Sequence, residues 1–430
     1  MTPSQETQQP SPRDLEVRTV QEAELASWLG AVHVGFLTPP AMTEADVALR
    51  AKQFDPSRTL GAFESPEFGG GCVATFRSFP QQISVPGGSL VPASAVSQVT
   101  VAPTHRRRGL LTRMMATELV AAKERGEVLA TLVAAEYPIY GRYGFGPAAH
   151  VSEWEIEVGR AGLDRRWSRP DCGGRIDLVD GAQVCAVGPG LHNRRYARRA
   201  GVISRDAQWW SLNTGLEELS HRPWKGTFFA LYRAPDGEPE GVISYRADDK
   251  WADAKVPDNT VTVLDITAAT VRAERALWHF VCSIDWVQKV RTCPLAPDDL
   301  LPQFLPDPRS ARLLTHADYL WVRLLDVVRA LEARTYAAAG SLVLEVVDEA
   351  GLAGGRFRLD AAPDGSVCAP TDEQAELTLT VADLASLYLG DASALRLAEL
   401  GRITEHAPGA IASAELLFRT ALRPWCPDLF

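Results

Sequence analysis

Apolar positions give the first outline of the chain. They recur at helical spacing over 21–36 and 43–54, and Thr43 with Asp46 has the spacing of a capping box. Runs rich in β-branched and aromatic residues predict strands at 58–64, 72–79, 82–85 and 93–101, with Pro86-Gly87-Gly88 as a hairpin turn. The spacing predicts a helix over 107–125, with Leu111, Met114, Met115, Leu119 and Ala122 on one face and Gly126 at its C-terminal cap. A short apolar strand is expected at 128–134, and alternation resumes at 152–158 through Trp154, Ile156 and Val158.

A second unit repeats this order. Its pattern predicts a helix at 207–219, strands at 227–232, 241–246 and 261–266, and a helix at 272–288. Thr104-x-Arg106 before the helix of the first unit is matched by Thr270-x-Arg272 in the second, where Glu274 and Arg275 replace the region of Gly109. That reads as a divergent repeat that has lost a feature of the first copy. Prolines 294, 297, 302, 306 and 308 then suit a linker. The third unit is expected to hold helices at 320–333, 384–389, 392–400 and 410–422 and strands at 341–347, 356–360 and 376–381. The expected divisions are a disordered tail over 1–14, rich in Pro, Gln and Ser, then units over 15–158, 159–310 and 311–430.

Bulk composition narrows the function classes. A net charge of −10 argues against nucleic acid, which needs a basic face, and favours cationic substrates. The seven cysteines are scattered, without a Cys-x-x-Cys pair, so neither a disulfide framework nor a zinc site is indicated and a cytoplasmic location is expected. No apolar stretch is long enough for a membrane span, and the eight histidines show no metal-ligand spacing.

The chemistry concentrates between Val99 and Ala148. Arg106-Arg107-Arg108-Gly109-Leu110-Leu111 joins a predicted strand to a predicted helix. A Gln/Arg-x-x-Gly-x-Gly/Ala turn is the acetyl-CoA signature of GNAT acetyltransferases, and this turn fits it except at Leu111. Gly109 permits close backbone approach, and free N–H groups at the helix start would face a pyrophosphate. The plainer alternative is a basic helix start on a solvated face. Tyr137, Tyr140 and Tyr143 form the second candidate group, since a phenol can protonate a departing thiolate; each also reads as a packing residue. Glu136 is equally a binding residue or a surface charge. Phe430 by itself reads as a frayed end. Trp28, Phe36, Trp209 and Trp210 are candidates to wall a substrate cleft, although aromatic residues more often fill cores. No Walker, Gly-x-Ser-x-Gly or His-Glu-x-x-His motif occurs.

The chain resembles the enhanced intracellular survival (Eis) family of acetyltransferases. The resemblance rests on residues 99–111, on Ile-Tyr-Gly-Arg-Tyr-Gly-Phe-Gly-Pro-Ala at 139–148, and on Ala-Leu-Glu-Ala-Arg-x-Tyr at 330–336. Pro-Thr-Asp at 370–372, Ser-Leu-Tyr-Leu-Gly at 386–390 and Phe430 complete it. It implies a mixed α+β architecture of two tandem GNAT domains, the second degenerate, and a C-terminal domain like sterol carrier proteins. It also implies a homohexamer that acetylates amines of aminoglycosides or related polyamines. Acetyl-CoA contacts would fall on Val99, Thr100 and Val101, on Arg107, Arg108, Gly109, Leu110, Leu111 and Thr112, and on Ala135 and Glu136. Tyr140 would be the general acid and the Phe430 carboxylate the general base. Trp28, Phe36 and Asp428 would contact the amine substrate. Leu429 stands where some members carry an acidic residue, with Asp428 one place earlier. Two other readings compete: acetylation of protein lysines, and a silent carrier of an apolar ligand.

Overall fold

The computed structural model describes residues 15–38, 42–162 and 173–430. The expected tail over 1–14 lies outside them. Twelve strands form one sheet: β1 (Glu16–Thr19), β2 (Thr59–Phe63), β3 (Cys72–Ser84), β4 (Leu90–Val101), β5 (Leu129–Val133), β6 (Gly146–Glu157), β7 (Arg175–Val179), β8 (Phe228–Arg233), β9 (Pro239–Ala247), β10 (Asn259–Ala268), β11 (Val287–Arg291) and β12 (Ala311–Leu324). Their spatial order is β1-β2-β3-β4-β5-β12-β6-β11-β10-β9-β8-β7.

That order is a repeat. Strands β1 to β5 and β7 to β11 follow the same path, antiparallel through the fourth strand and parallel between the fourth and fifth. The closing strands are exchanged. β12, from the second copy, pairs with β5 of the first, while β6 of the first pairs with β11 of the second. β6 and β12 pair with each other at the centre. The two copies are therefore one continuous sheet.

This exchange explains the main departures from the sequence pattern. A helix was expected over 320–333; residues 311–324 are strand β12, and the helix is Val327–Ala333. Leu320, Trp321, Val322, Arg323 and Leu324 are all buried, so both faces are covered and no two-residue alternation marks the strand. The helix expected over 272–288 ends at Cys282, and β11 follows it. An unforeseen helix, Gly181–Tyr196, starts at an Asp180 capping box and contains Pro189.

Four helices matter for the site: α1 (Leu25–Gly35), α2 (Glu44–Ala51), α3 (Leu110–Glu124) and α4 (Tyr137–Tyr140). α3 buries Met114, Met115 and Leu119 in a cluster with Phe76 and Leu132, about 1.5–3 kcal/mol for each large side chain. The third unit adds a five-stranded sheet: β13 (Gly340–Val347), β14 (Gly355–Ala362), β15 (Gly365–Pro370), β16 (Leu377–Thr380) and β17 (Ile403–Glu405), ordered β15-β14-β13-β16-β17. Its core is continuous with the first unit, since Ile83, Leu129 and Leu320 share a cluster with Leu344, Leu384 and Phe418.

Residues 419–430 run back from this unit onto the exchanged sheet. Trp425 donates its backbone N–H to Ala200 O at 2.9 Å and its indole N–H to Pro294 O at 3.1 Å. Arg423 donates to Asp298 Oδ2 at 2.9 Å. This strap carries Phe430 to β3.

Candidate functional site

The site begins where two parallel strands part. β4 and β5 pair only over Ala93–Ala95 against Leu129–Thr131. Beyond that, β4 continues on β3 and β5 continues on β12, so their facing edges are unpaired. A bulge helps to turn β4 away. Ser97 opposes Arg77 and Thr100 opposes Thr75, which leaves one extra residue on β4 around Gln98, at φ 52°. Thr75 Oγ1 donates to Gln98 O at 2.8 Å and lies 2.8 Å from Thr100 Oγ1. Val99, Thr100 and Val101 thus lie on a free strand edge, able to take on amide groups as another strand would.

The arginine turn lies beyond that edge. Gly109 is the N-cap of α3 at φ 72°, and no side chain caps the helix. The first N–H groups, those of Leu110, Leu111 and Thr112, have no hydrogen-bond acceptor among the described residues. A Cβ on Gly109 would meet no atom within 4 Å, so the space before the helix is open. Arg106, Arg107 and Arg108 are exposed. Arg107 takes φ 64°, a conformation a bulky residue adopts at a cost of about 1–3 kcal/mol. Arg108 donates to Thr104 O at 3.3 Å, whereas Arg106 and Arg107 form no ion pair among the described residues. An uncapped helix start beside free guanidinium groups has the geometry and the charge to take an anion.

The equivalent place in the second copy is filled. Thr270 Oγ1 accepts from Ala273 N at 3.2 Å and donates to Glu240 Oε2 at 3.0 Å, and Arg272 Nε donates to the same carboxylate at 2.7 Å. The Arg272 guanidinium holds the Glu240 carboxyl below the usual carboxylate range. The second helix start is thus capped by its own threonine, with a carboxylate held beside it.

The tyrosine loop reaches the first helix start directly. Tyr143 Oη lies 3.0 Å from Thr112 Oγ1. Tyr140 ends α4 and is buried beside Phe145, with ring centres 6.2 Å apart. Burial, reinforced by Glu136 and Tyr143, pushes its phenol up to about 12. It therefore keeps its proton at neutral pH. Ala135 and Glu136 are exposed between β5 and α4.

The remaining expected residues separate. Phe430 rests edge-on against Phe79 of β3, with ring centres 5.9 Å apart. Phe36 is half-exposed and lines an open cavity of about 210 Å³. Trp28, expected to wall a cleft, is a core residue instead. It is 1% exposed, and its indole N–H donates to Leu60 O at 2.9 Å. Asp428 is also no surface contact for an amine. It is buried and paired with Arg205, whose Nε lies 3.0 Å from Oδ1. The cavity adds residues that the sequence did not single out: Arg50, Gln98 and His221. Gln98 directly precedes Val99, but nothing in the pattern marks the bulge that aims it.

Comparisons with known proteins agree with this construction. Residues 16–148 and 201–324 match two acetyltransferase (GNAT) domain families, and 327–427 match a sterol carrier protein domain. An uncharacterized N-acetyltransferase of Streptomyces avermitilis is 60% identical over 419 residues, covering 97% of this chain and 99% of its own length. N-acetyltransferase Eis of Mycobacterium tuberculosis is 34% identical over 336 residues, 75% of this chain and 77% of that protein. The crystal structure of Eis1 from Mycobacterium abscessus superposes with a TM-score of 0.81 at 31% identity, covering 96% of this chain and 100% of that one. With one open helix start, one filled one and a carrier-like third unit, the chain belongs to the Eis family of GNAT N-acetyltransferases.

Proposed function

We propose that the chain transfers the acetyl group of acetyl-CoA to an amine of an aminoglycoside or related polyamine, by direct attack and without a metal. The observation that carries the reading is the contrast between the open start of α3 and the filled start of its copy. The pyrophosphate would lie on Leu110, Leu111 and Thr112, with Arg107 and Arg108 beside it, and the pantetheine arm along Val99 to Val101. Ala135 and Glu136 would border the same arm from β5.

The amine nitrogen attacks the thioester carbonyl carbon. The C–N bond forms, the C–S bond breaks, and the thiolate takes the Tyr140 proton. The Phe430 carboxylate receives the proton that the amine loses. A free α-carboxyl titrates near 3.3–3.7 in model peptides, so it is a carboxylate at neutral pH and can hold the ammonium and take its proton directly or through water. The working form is proposed to be a cytoplasmic homohexamer.

The test is thiol release from acetyl-CoA with a panel of aminoglycosides, polyamines and lysine peptides. Turnover on the aminoglycosides, lost when residues are appended after Phe430, is the expected result. Tight acetyl-CoA binding with no turnover on any amine would sink the acyl-transfer reading while keeping the cradle.

A further inference from the structure

The turn that follows Tyr140 rests on Arg323. A Cβ on Gly144, which takes φ 80°, would come within 2.7 Å of Arg323 Nε and 2.9 Å of Val381 Cγ1. A Cβ on Gly146 would collide with Ala382 O and Ser386 Oγ. Val381, Ala382 and Ser386 belong to α5 (Val381–Tyr388), a helix of the third unit whose residues are all buried. The loop that carries Tyr140 thus presses its backbone onto a guanidinium from the second copy and a helix from the third unit.

Arg323 is held from below. It is fully buried on β12. One Nη donates to Leu324 O at 3.1 Å and the other to Asp348 Oδ2 at 2.7 Å, while Nε has no partner among the described residues. Asp348 also accepts from the N–H groups of Ala350, Leu352 and Ala353, at 3.2, 2.9 and 2.8 Å. Burial works against its charge, but Arg323 and backbone N–H groups hold the carboxyl below the usual carboxylate range. Leu352, in the same loop, packs against the cluster that contains Tyr140, Phe145 and Trp321. Lys123, near the end of α3, donates to Leu352 O. Trp321, two residues before Arg323, meets the Tyr137 ring edge-on at 5.0 Å. Both ends of α4 and the turn after it therefore rest on β12 and the third unit.

A buried ion pair adds little stability over apolar side chains of like volume. A guanidinium fixed at two points does add a flat floor at one height beneath Gly144. We infer that Arg323 is a positioning residue for Tyr140: held by Asp348, it sets where the Gly144 turn rests and so where the phenol meets the departing thiolate. The third unit then takes part in acyl transfer as the support of the general acid. The inference rests on the acetyl-transfer reading for the role of Tyr140; the seating of the loop stands apart from it.

Arg323→Met keeps a long side chain and removes the charge. In the full-length protein, with neomycin or spermidine as acceptor, kcat should fall about 10- to 100-fold, up to the cost of a misplacement of about 1 Å. Acetyl-CoA affinity, read by calorimetry, should stay within about twofold. The deciding comparison is with Tyr140→Phe. If Arg323 acts through the phenol, Arg323→Met costs no further kcat once Tyr140 is replaced, while it lowers the thermal midpoint equally in both backgrounds. An equal kcat loss in both backgrounds, or an unchanged kcat, overturns the inference and leaves acetyl transfer standing. Gly144→Ala, which sets a methyl against the guanidinium, should show the same pattern and replaces Arg323→Met if that variant does not fold. Hydrogen exchange covers a protein without turnover. Faster exchange over 137–146 in the Arg323→Met variant, with 110–124 unchanged, upholds the seat and overturns acetyl transfer alone. Unchanged exchange over 137–146 overturns the seat as well.

Discussion

Asp428 and Arg205 form a buried ion pair that fixes the end of the strap: Nε lies 3.0 Å from Oδ1, and the two side chains are 4% and 1% exposed. Arg205 also holds Asp265 at 2.7 Å, and its guanidinium stacks 3.7 Å over Trp209. Two residues beyond Asp428 is the proposed base. Asp428→Ala removes one of the two anions beside a buried cation, a change worth about 3–5 kcal/mol in comparable buried pairs. The expected outcome is a lower thermal midpoint together with a kcat that falls further than acetyl-CoA affinity. Asp428→Asn keeps the shape and isolates the charge. Unchanged kcat in a destabilised variant would show that the strap does not set the base.

Gly109 shapes the open start of α3, the proposed pyrophosphate site, through its backbone. Its φ of 72° costs other residues roughly 1–2 kcal/mol, while the open space around it spares Gly109→Ala any clash. The variant should fold and should bind acetyl-CoA about tenfold more weakly or worse, with kcat at saturation nearly kept. Calorimetry reads this directly. An unchanged affinity would move the pyrophosphate elsewhere.

The filled second helix start bears on stoichiometry. With Glu240 held by Thr270 and Arg272, the helix start of the second copy that corresponds to that of α3 is occupied. One acetyl-CoA per chain is expected in a calorimetric titration. Two equivalent sites would contradict the reading of the second copy as degenerate.

Tyr140 keeps its proton over the working range. Burial, Glu136 and Tyr143 push the phenol up to about 12, so the acid form dominates below that value. A kcat profile should show no falling alkaline limb from this group between about pH 6 and 10. Tyr140→Phe should cost about 10²–10⁴ in kcat, the span of general-acid catalysis, with little loss of stability because the ring remains. A variant with full kcat would remove Tyr140 from the mechanism.

The parts of the site that were legible in the sequence are local. The arginine turn, the tyrosine loop and the α3 face from Leu111 to Ala122 are set by neighbours within a few residues, so spacing reveals them. The exchange of β6 and β12 is invisible to spacing because it pairs residues such as Ala149 and Leu320 across the length of two units. β12 reads as helix for a related reason: a strand buried on both faces carries no alternation. Trp28 and Asp428 were misplaced because a large aromatic or a carboxylate gives no sign of its depth. The partners that bury them, Leu60 O and Arg205, come from elsewhere in the chain. Arg50 and Gln98 come to line one cavity only because Leu219 and His221 of the second copy fold in beside them.

Asp299 makes stability depend on pH beneath the strap. Enclosure of its carboxyl, followed by repulsion from Glu274, pushes it up to about 7, while its Oδ1 accepts from Leu301 N at 2.9 Å. An unfolded aspartate titrates near 3.9. Between about pH 4 and 7 the folded chain therefore holds a proton that the unfolded chain has released. The contribution is fully present below the unfolded value, is lost as pH rises, and is gone above about 7. Part of the side chain reaches solvent, which limits the effect to a few kcal/mol at most. Asp299→Asn keeps an oxygen for Leu301 and removes the titration. It should match the wild type at about pH 4 and exceed it at about pH 8 in denaturant unfolding. Its neighbour Asp298 binds both Arg199 and Arg423, so the gain should also appear as tighter retention of the strap. An equal stability difference at both pH values would show that Asp299 is ionised throughout.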